Sequence, residues 1–313
     1  MSIPGQLLYH FWYRPTGALR ESLRHGGPIA QWHTERGRRE MQDTAENLPA
    51  LPVLAPAAGR QIHFLTGARF WWQTAFCLHS LARTSGVALE THLYDDGTLG
   101  AEHRENLRRL GLPLVFHDHA ALREKIERLL PVKSYPTLRE RWINYPHIRK
   151  LIDVHLGGTG WKLVLDSDLL FYRRPDFLLH WLAAPDRPLH AVDCIESYGY
   201  SRPLLERLAG HPLATKLNVG LCGLNSSEID WDQLEFWSAT MIHEERTNYY
   251  LEQALVALLC AGRTCAVAPE RNYVTLPAPA EIASPSAVMH HYVDTAKSGY
   301  FRHAWRNFTL PCA

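Results

Sequence analysis

The sequence lacks several features that would place a chain in a specialised class. Its 313 residues carry a net charge of only +1 and no basic stripe, which argues against a nucleic-acid-binding protein. The six cysteines form no Cys-x-x-Cys pair, so we expect neither a disulfide framework nor a structural zinc site. We therefore predict a reduced, cytoplasmic protein. No apolar run approaches the roughly 18 residues of a transmembrane segment.

What is present is an ordinary globular composition with one atypical end. Hydrophobic residues make up 46% of the chain and charged residues 21%, which is enough to build a sizeable core. Residues 1–58 are polar, rich in Arg, Gly, His and Pro, and close in a Pro/Ala run typical of a connector. We interpret 1–58 as an N-terminal extension, with a short helix at 18–25, packed on a main domain at 59–313.

From residue 60 onward, apolar runs typical of strands alternate with segments of helical spacing. This order predicts an α/β fold with a mostly parallel sheet flanked by helices. The expected strands are 61–67, 88–97, 112–118, 162–171, 188–196, 216–225 and 286–294. The main expected helices are 68–84, 101–111, 120–130, 136–156 and 251–262.

The stretch KLVLDSDLLF, residues 162–171, raises the question of why a buried strand carries two carboxylates. Ligands of open α/β sheets bind at the carboxyl ends of strands, and side chains two positions apart on a strand share one face. Asp166 and Asp168 can therefore address one divalent cation, which relieves their mutual repulsion. A D-x-D triplet alone fits equally well a pair that caps the following helix or binds Arg173 and Arg174.

A second motif lies near the other end of the chain, in HHYVDTAKSGYFRHAW, residues 290–305. His291 is followed by an aromatic residue, and Lys297 stands six positions further on. Together with DSD, this spacing resembles the retaining GT-A glycosyltransferases, particularly those of family 8. The chain departs from that family at Asp294, where glycine is common, and at 298–299, where proline-tryptophan is common.

Two intermediate motifs agree with the same family in order along residues 60–305. KLNVGLCGLN resembles the family's N-x-G strand through Asn218, and LEQALVALL resembles its acidic-Gln helix start through Glu252 and Gln253. The resemblance implies that Asn218 contacts the donor sugar, although a hydrogen-bonded core asparagine fits as well. It places Glu252 and Gln253 near the reacting carbon. There a retaining transfer needs either a carboxylate nucleophile or attack from the side of the leaving group.

The resemblance implies a GT-A type nucleotide-diphospho-sugar transferase fold for 59–313, with a mixed, mostly parallel sheet flanked by helices. It implies transfer of a hexose from a nucleotide-diphospho-sugar, a UDP-sugar, with Mn²⁺ or Mg²⁺ as cofactor. Such an ion stabilises the charge that develops on the departing diphosphate. The implied metal ligands are Asp166, Asp168 and His291. His290 points to the opposite face of the expected strand, and His303 is a second alternative to His291.

The donor-binding residues form a larger set around the first strands. The resemblance implies contacts with the base and ribose from the loop after the first strand and from the end of the second, and contacts with the diphosphate from basic side chains. The residues are Thr66, Gly67, Asp95, Asp96, Lys150, Ser167 and Lys297. Asp-Asp-Gly is also good turn chemistry, Arg149 is an alternative to Lys150, and basic residues of helices are commonly solvated.

Two other functions remain open from the sequence. A haloacid dehalogenase-like phosphatase also has a hydrophobic strand ending in D-x-D, but its motif normally opens the domain, whereas here three strand–helix units come first. A non-catalytic sugar-nucleotide-binding protein on a GT-A scaffold is the second alternative. The acceptor, whether glycan, lipid-linked molecule, protein or small molecule, is not indicated by any motif.

Overall fold

The computed structural model describes residues 26–52 and 54–309. The helix expected at 18–25 lies outside these residues. The strands of the described part are β1 (Ala55–Thr66), β2 (Val87–Asp95), β3 (Leu114–His117), β4 (Trp161–Leu165), β5 (Leu169–Phe171), β6 (Leu189–Val192), β7 (Leu217–Asn225), β8 (Ala266–Val267), β9 (Tyr273–Thr275) and β10 (Met289–His291).

The helices of the same part alternate with these strands over most of the chain. They are α1 (Gly27–Ala45), α2 (Trp71–Ser85), α3 (Ala101–Arg108), α4 (His119–Leu129), α5 (Pro136–Asn144), α6 (Arg149–His155), α7 (Asp176–Ala183), α8 (Arg202–Ala209), α9 (Trp231–Glu245), α10 (Leu251–Cys260), α11 (Pro279–Ala283) and α12 (Ala296–Arg302). Short 3₁₀ helices lie at Pro146–Ile148, Ser226–Glu228 and Ala304–Phe308. Within the described residues, no helix combines the length and apolar character needed to cross a bilayer.

Two sheets organise the described part of the chain. The larger one has seven strands in the order β3-β2-β1-β4-β7-β6-β8. Strands β3, β2, β1 and β4 pair with one another in parallel, and β7 runs antiparallel to both β4 and β6. The smaller sheet has the order β5-β10-β9, with β10 antiparallel to β5. β10, the last strand among the described residues, brings His291 in this sheet to the carboxyl end of β4.

Helices cover both faces of the large sheet because its central strands are apolar on both sides. Helix α2 is buried along almost its whole length and packs Trp71, Trp72 and Phe76 into one core. Helix α10 is buried along almost its whole length and forms a second core with α6 and β7. The prediction of a mixed, mostly parallel sheet flanked by helices is confirmed.

The expected strand at 162–171 is two strands, which is a correction to the sequence analysis. Strand β4 of the large sheet ends at Leu165, and strand β5 of the small sheet begins at Leu169. Asp166 and Asp168 therefore lie in the turn that connects the two strands. Their shared direction therefore comes from the turn and its neighbours, and not from the alternation of a strand.

The expected helix at 136–156 is interrupted in its middle. Proline lacks the N–H that a helix interior requires and disfavours helical geometry in the residue before it. Helix α5 accordingly ends at Asn144, a 3₁₀ turn begins at Pro146, and α6 begins at Arg149. This break points Arg149 and Lys150 into the molecule, where both are buried.

The N-terminal region contains regular structure that the sequence analysis did not anticipate. Helix α1 buries little more than Gly37, Met41 and Ala45, so its apolar pattern is weak. Gly37 allows close approach, since a Cβ there would lie 2.3 Å from the carbonyl oxygen of Phe301. Strand β1 begins at Ala55, so residue 58 lies within a strand and not at the end of a connector.

Candidate active site

The DSD turn is held on both sides by backbone hydrogen bonds. The amide of Asp166 donates to the carbonyl of Gly220 in β7, at 2.9 Å. The carbonyl of Asp168 accepts from the amide of Tyr292, the residue after β10, at 3.0 Å. The turn is thus fixed between the two sheets, and its carboxylates are partly buried, with 24% and 15% of their side chains exposed.

His291, the last residue of β10, reaches the same point from the small sheet. Its Nε2 lies 3.3 Å from Oδ1 of Asp168 and 3.7 Å from Oδ2 of Asp166. One ligand atom from each of the three residues falls within 4.8 Å of the others. His290 points away, as its place on a strand predicts, and contacts Oε1 of Glu281 at 2.8 Å.

The imidazole of His291 is oriented by groups on β7. Its Nδ1 lies 3.1 Å from Oδ1 of Asn218, an oxygen that also accepts from the amide of Gly220 at 2.9 Å. An amide oxygen at Nδ1 requires the N–H there, which leaves the Nε2 lone pair for a cation. The ring also needs the glycine, because a Cβ on Gly220 would lie 2.3 Å from Cε1 of His291.

This donor set fits a divalent cation. Two carboxylates and one neutral imidazole nitrogen suit Mn²⁺ or Mg²⁺, and three protein ligands leave the other positions of an octahedron open for phosphate oxygens or water. The space that the glycine leaves at the His291 ring, and the asparagine that fixes the ring's tautomer, are features of a ligand histidine.

Two lysines balance the acidic groups. Lys150, in α6, is buried and lies 2.8 Å from Oδ1 of Asp166 and 3.3 Å from Oε2 of Glu252. Burial opposes its charge, but Asp166 and Glu252 together raise its pKa. Lys297 lies 3.2 Å from Oδ2 of Asp168 and is 44% exposed. The pKa of Lys297 is raised mainly by the charge of Asp168.

Ionisation of the carboxylic acids follows from these contacts. Burial would raise the pKa of Asp168, but the charges of His291 and Lys297 hold it well below its usual range. Burial raises the pKa of Glu252 to about 7, because the attraction of Lys150 is not strong enough to offset the loss of water. Glu252 is thus poised to change its protonation near neutral pH.

An aspartate that the sequence analysis missed connects two of its expected catalytic residues. Asp193 follows β6, is buried, and accepts from Nδ2 of Asn218 at 3.1 Å and from Nε2 of Gln253 at 3.2 Å. Gln253 also donates to the carbonyl of Ser197 at 2.9 Å. The available signal was the position of Asp193 in PLHAVDCIE, a polar residue directly after a buried strand.

Apart from the two lysines, the expected donor-binding residues fall into two groups, one beside β1 and the DSD turn and one in the loops after β1 and β2. Thr66, at the end of β1, and Ser167 are joined through the Thr74 hydroxyl, with two oxygen–oxygen distances of 2.8 Å. This row of hydroxyls lies on the β1 side of the DSD turn. Gly67 packs against the carboxylate of Asp96, which a Cβ would approach to 2.0 Å.

Asp95 and Asp96 organise the loop after β2. Asp95 accepts from the amides of Gly97 and Leu99 and from Arg104, and Asp96 accepts from the amide of Thr98. The turn chemistry considered from the sequence is therefore present at both residues. Arg149 does not reach the acidic centre. It donates to the carbonyls of Asp95 and Asp96 and pairs with the buried Asp153. The structure thus brings Lys150, and not Arg149, to Asp166.

Comparison with known proteins supports the fold. No protein-family model matches the sequence. No curated protein matches it either. Among solved structures, mouse xyloside xylosyltransferase 1 is 14% identical, with a TM-score of 0.50 over 74% of this chain and 97% of that one. The galactosyltransferase LgtC, solved with donor and acceptor sugar analogues, is 15% identical, with a TM-score of 0.51 over 80% and 96%.

A third structure, the bifunctional glycosyltransferase WbbM, is 12% identical, with a TM-score of 0.52 over 83% of this chain and 51% of that chain. At these identities the likeness shows the fold alone. The chain has a GT-A type fold, as its mixed sheet and flanking helices indicate.

Proposed function

We propose that this chain is a metal-dependent glycosyltransferase that moves a hexose-type sugar from a nucleotide-diphospho-sugar, a UDP-sugar, to an acceptor, with retention. One observation carries the proposal. Asp166, Asp168 and His291 converge at the carboxyl end of β4 in a GT-A type fold, with Lys297 beside them. The haloacid dehalogenase alternative has no support from this fold.

A bound Mn²⁺ or Mg²⁺ would be held by Asp166, Asp168 and His291 and would supply Lewis-acid stabilisation of the diphosphate leaving group. Lys297 would add a second positive charge on that group. Its side chain is nearly half exposed and can turn from Asp168 toward a phosphate, whereas the buried Lys150 has no such freedom. Lys150 would instead keep Asp166 and Glu252 in place.

The remaining residues would bind and orient the donor. Thr66 is buried, so it would act through the Thr74 hydroxyl, which joins it to Ser167 on the β1 side, where the nucleotide would lie. Asn218 and Gln253, both fixed by Asp193, would border the sugar. Glu252, the residue before Gln253, would supply a carboxyl group next to the sugar. Its raised pKa would let it exchange a proton near neutral pH.

The first test is thermal unfolding of the purified chain with UDP, GDP, CDP and ADP, each with Mn²⁺ and with a chelator. We expect one nucleotide to raise the unfolding midpoint in the presence of the metal only. At a hundredfold excess over its Kd, the stabilisation is about 2.7 kcal/mol. Asp168→Asn should lose the response. Asp176→Asn, a change at an exposed aspartate, should keep it.

A second assay separates an enzyme from a non-catalytic binder on the same scaffold. A transferase should slowly release the nucleotide from its donor sugar when no acceptor is present, and that release should require the metal. A metal-independent response to nucleotides, or an unchanged response in Asp168→Asn, would contradict the metal assignment. Binding without any hydrolysis of UDP-sugars would favour the binder.

A further inference from the structure

Strand β10 has a second face, opposite to the one that carries His291. His290 lies on that face and is fully buried, and its Nε2 lies 2.8 Å from Oε1 of Glu281. Its Nδ1 lies 2.9 Å from the hydroxyl oxygen of Tyr292, the residue after β10. The hydroxyl of Tyr292 lies 2.6 Å from that of Tyr172, the residue after β5. We refer to four residues as the tyrosine–histidine network: Glu281, His290, Tyr292 and Tyr172.

The direction of each hydrogen bond in the network follows from the chemistry of its groups. A carboxylate only accepts, so Nε2 of His290 carries the N–H that faces Glu281. In a neutral imidazole Nδ1 is then an acceptor, and it takes the proton of the Tyr292 hydroxyl. The Tyr292 oxygen in turn accepts from the hydroxyl of Tyr172. Removal of the Tyr292 hydroxyl therefore breaks the network in its middle and leaves a buried acceptor on His290 without a donor.

Both ends of the network are anchored in the backbone. The carboxylate of Glu281 accepts from the amides of Ser286 and Ala287, at 2.7 and 2.8 Å, and from the Ser286 hydroxyl at 2.7 Å. These two residues belong to the loop that leads into β10. At the other end, the amide of Tyr172 donates to the carbonyl of Val288 at 2.8 Å. The network is thus tied to the residues directly before β10 and directly after β5.

Tyr292 connects the network to the candidate metal site. Its amide donates to the carbonyl of Asp168 at 3.0 Å. That N–H belongs to the peptide bond between His291 and Tyr292, so one peptide plane links the backbones of two of the three candidate ligands. The ring of Tyr292 is fully buried and stacks on Tyr300, with ring centroids 4.7 Å apart and planes at 24°. A stacked ring can still slide within its plane, and the two hydrogen bonds of the Tyr292 hydroxyl oppose that movement.

We propose that the tyrosine–histidine network positions Asp168 and His291 for the metal ion, and that Tyr292 is the residue through which it acts. The inference rests on the metal-dependent function proposed above. The four residues are positioning residues, because none of them belongs to the candidate ligand set. A divalent ion such as Mg²⁺ demands near-ideal geometry, so a small shift of β10 against the DSD turn separates ligands that must converge. Groups that orient the ligands of a metal ion commonly contribute about ten- to hundredfold to its affinity.

The test measures binding of Mn²⁺ to the full chain by EPR titration, in which the signal of the free ion gives the Kd. Tyr292→Phe keeps the ring and removes the hydroxyl, and we expect it to raise the Kd for Mn²⁺ about tenfold. Tyr172→Phe removes the first donor of the network and should raise the Kd by a smaller factor. It carries the test if Tyr292→Phe does not fold, because Tyr172 is less buried. Circular dichroism and urea unfolding check the fold and stability of each variant.

The matched control is Tyr300→Phe, at a fully buried tyrosine whose hydroxyl has no hydrogen-bond partner among the described residues. It should leave the Kd for Mn²⁺ unchanged. An unchanged Kd in the folded Tyr292→Phe and Tyr172→Phe variants, or an equal rise in Tyr300→Phe, would overturn the inference. The proposed function fails separately if the wild type binds Mn²⁺ but shows no metal-dependent response to any nucleotide. A wild type that binds no Mn²⁺ would contradict both.

Discussion

Replacement of Lys150 by methionine tests whether the acidic centre depends on a buried counter-ion. Lys150 is 8% exposed and pairs with Glu252, which is 7% exposed, and with Asp166, which is 24% exposed. Removing one partner of a buried ion pair costs about 3–5 kcal/mol, because the other charge is left without compensation. Asp166 retains some water, so we expect a loss near the lower end, about 3 kcal/mol.

The loss should depend on pH, and its direction follows from Glu252. The folded-state pKa of Glu252, about 7, lies above its ordinary value of 4.5. A raised acidic pKa means that the unfolded chain ionises first. Glu252 therefore costs stability as pH rises from 4.5 through 7, and Lys150 limits that cost. Without Lys150 the cost grows, so Lys150→Met should be most harmful above pH 8 and least harmful near pH 5.

Urea unfolding of the wild type and of Lys150→Met at pH 5 and pH 8, in chelator, measures the effect. The double variant Lys150→Met/Glu252→Gln should recover much of the loss at pH 8, since it removes the uncompensated carboxylate. Lys133→Met, at an exposed lysine, is the control for loss of a surface charge. A loss that is equal at both pH values, or that Glu252→Gln does not relieve, would refute the argument.

Three further predictions concern two groups beside this centre and one buried histidine, His155, at the end of α6. Gly220→Ala should displace the His291 ring, so that metal-dependent stabilisation by nucleotide falls at least about tenfold in apparent affinity, as judged by Mn²⁺ titration. Asp193→Asn should weaken the orientation of Asn218 and lower kcat more than it raises donor KM, which steady-state kinetics would show. Burial lowers the pKa of His155 to about 3, so stability should fall as pH drops below 6.5, and His155→Gln should reduce that slope in acid unfolding.

Much of the fold could be predicted because its strands and helices alternate with clear periods. The apolar runs of β1, β2 and β4 and the helical spacing of α2 gave the order of elements, and the order gave the sheet. Helix α1 was missed because it buries few apolar residues and uses Gly37 where backbones touch. A helix that packs through a glycine has little amphipathic pattern to find.

The site could be predicted only in part, and for a physical reason. The motif spacing brought Asp166, Asp168, His291 and Lys297 together, and the structure places them in contact distance. The strand argument for Asp166 and Asp168 was wrong in detail, because the two residues occupy a turn between sheets. The turn still aims both carboxylates at one point, since backbone hydrogen bonds from β7 and from the end of β10 fix it.

The contacts of Lys150 and Asp193 were missed for the same reason. The sequence alone does not distinguish a charged residue that is buried from one that is on the surface. Lys150 stands in a helix, where a basic side chain is ordinarily solvated. The break at Pro146 turns α6 so that the side chain of Lys150 points inward. Asp193 is a candidate site residue because it accepts hydrogen bonds from Asn218 and Gln253, which lie on other elements. Pairing of this kind depends on which elements pack together, and spacing along the chain carries no record of it. A polar residue directly after a buried strand is therefore worth testing as a site residue wherever the sheet is known.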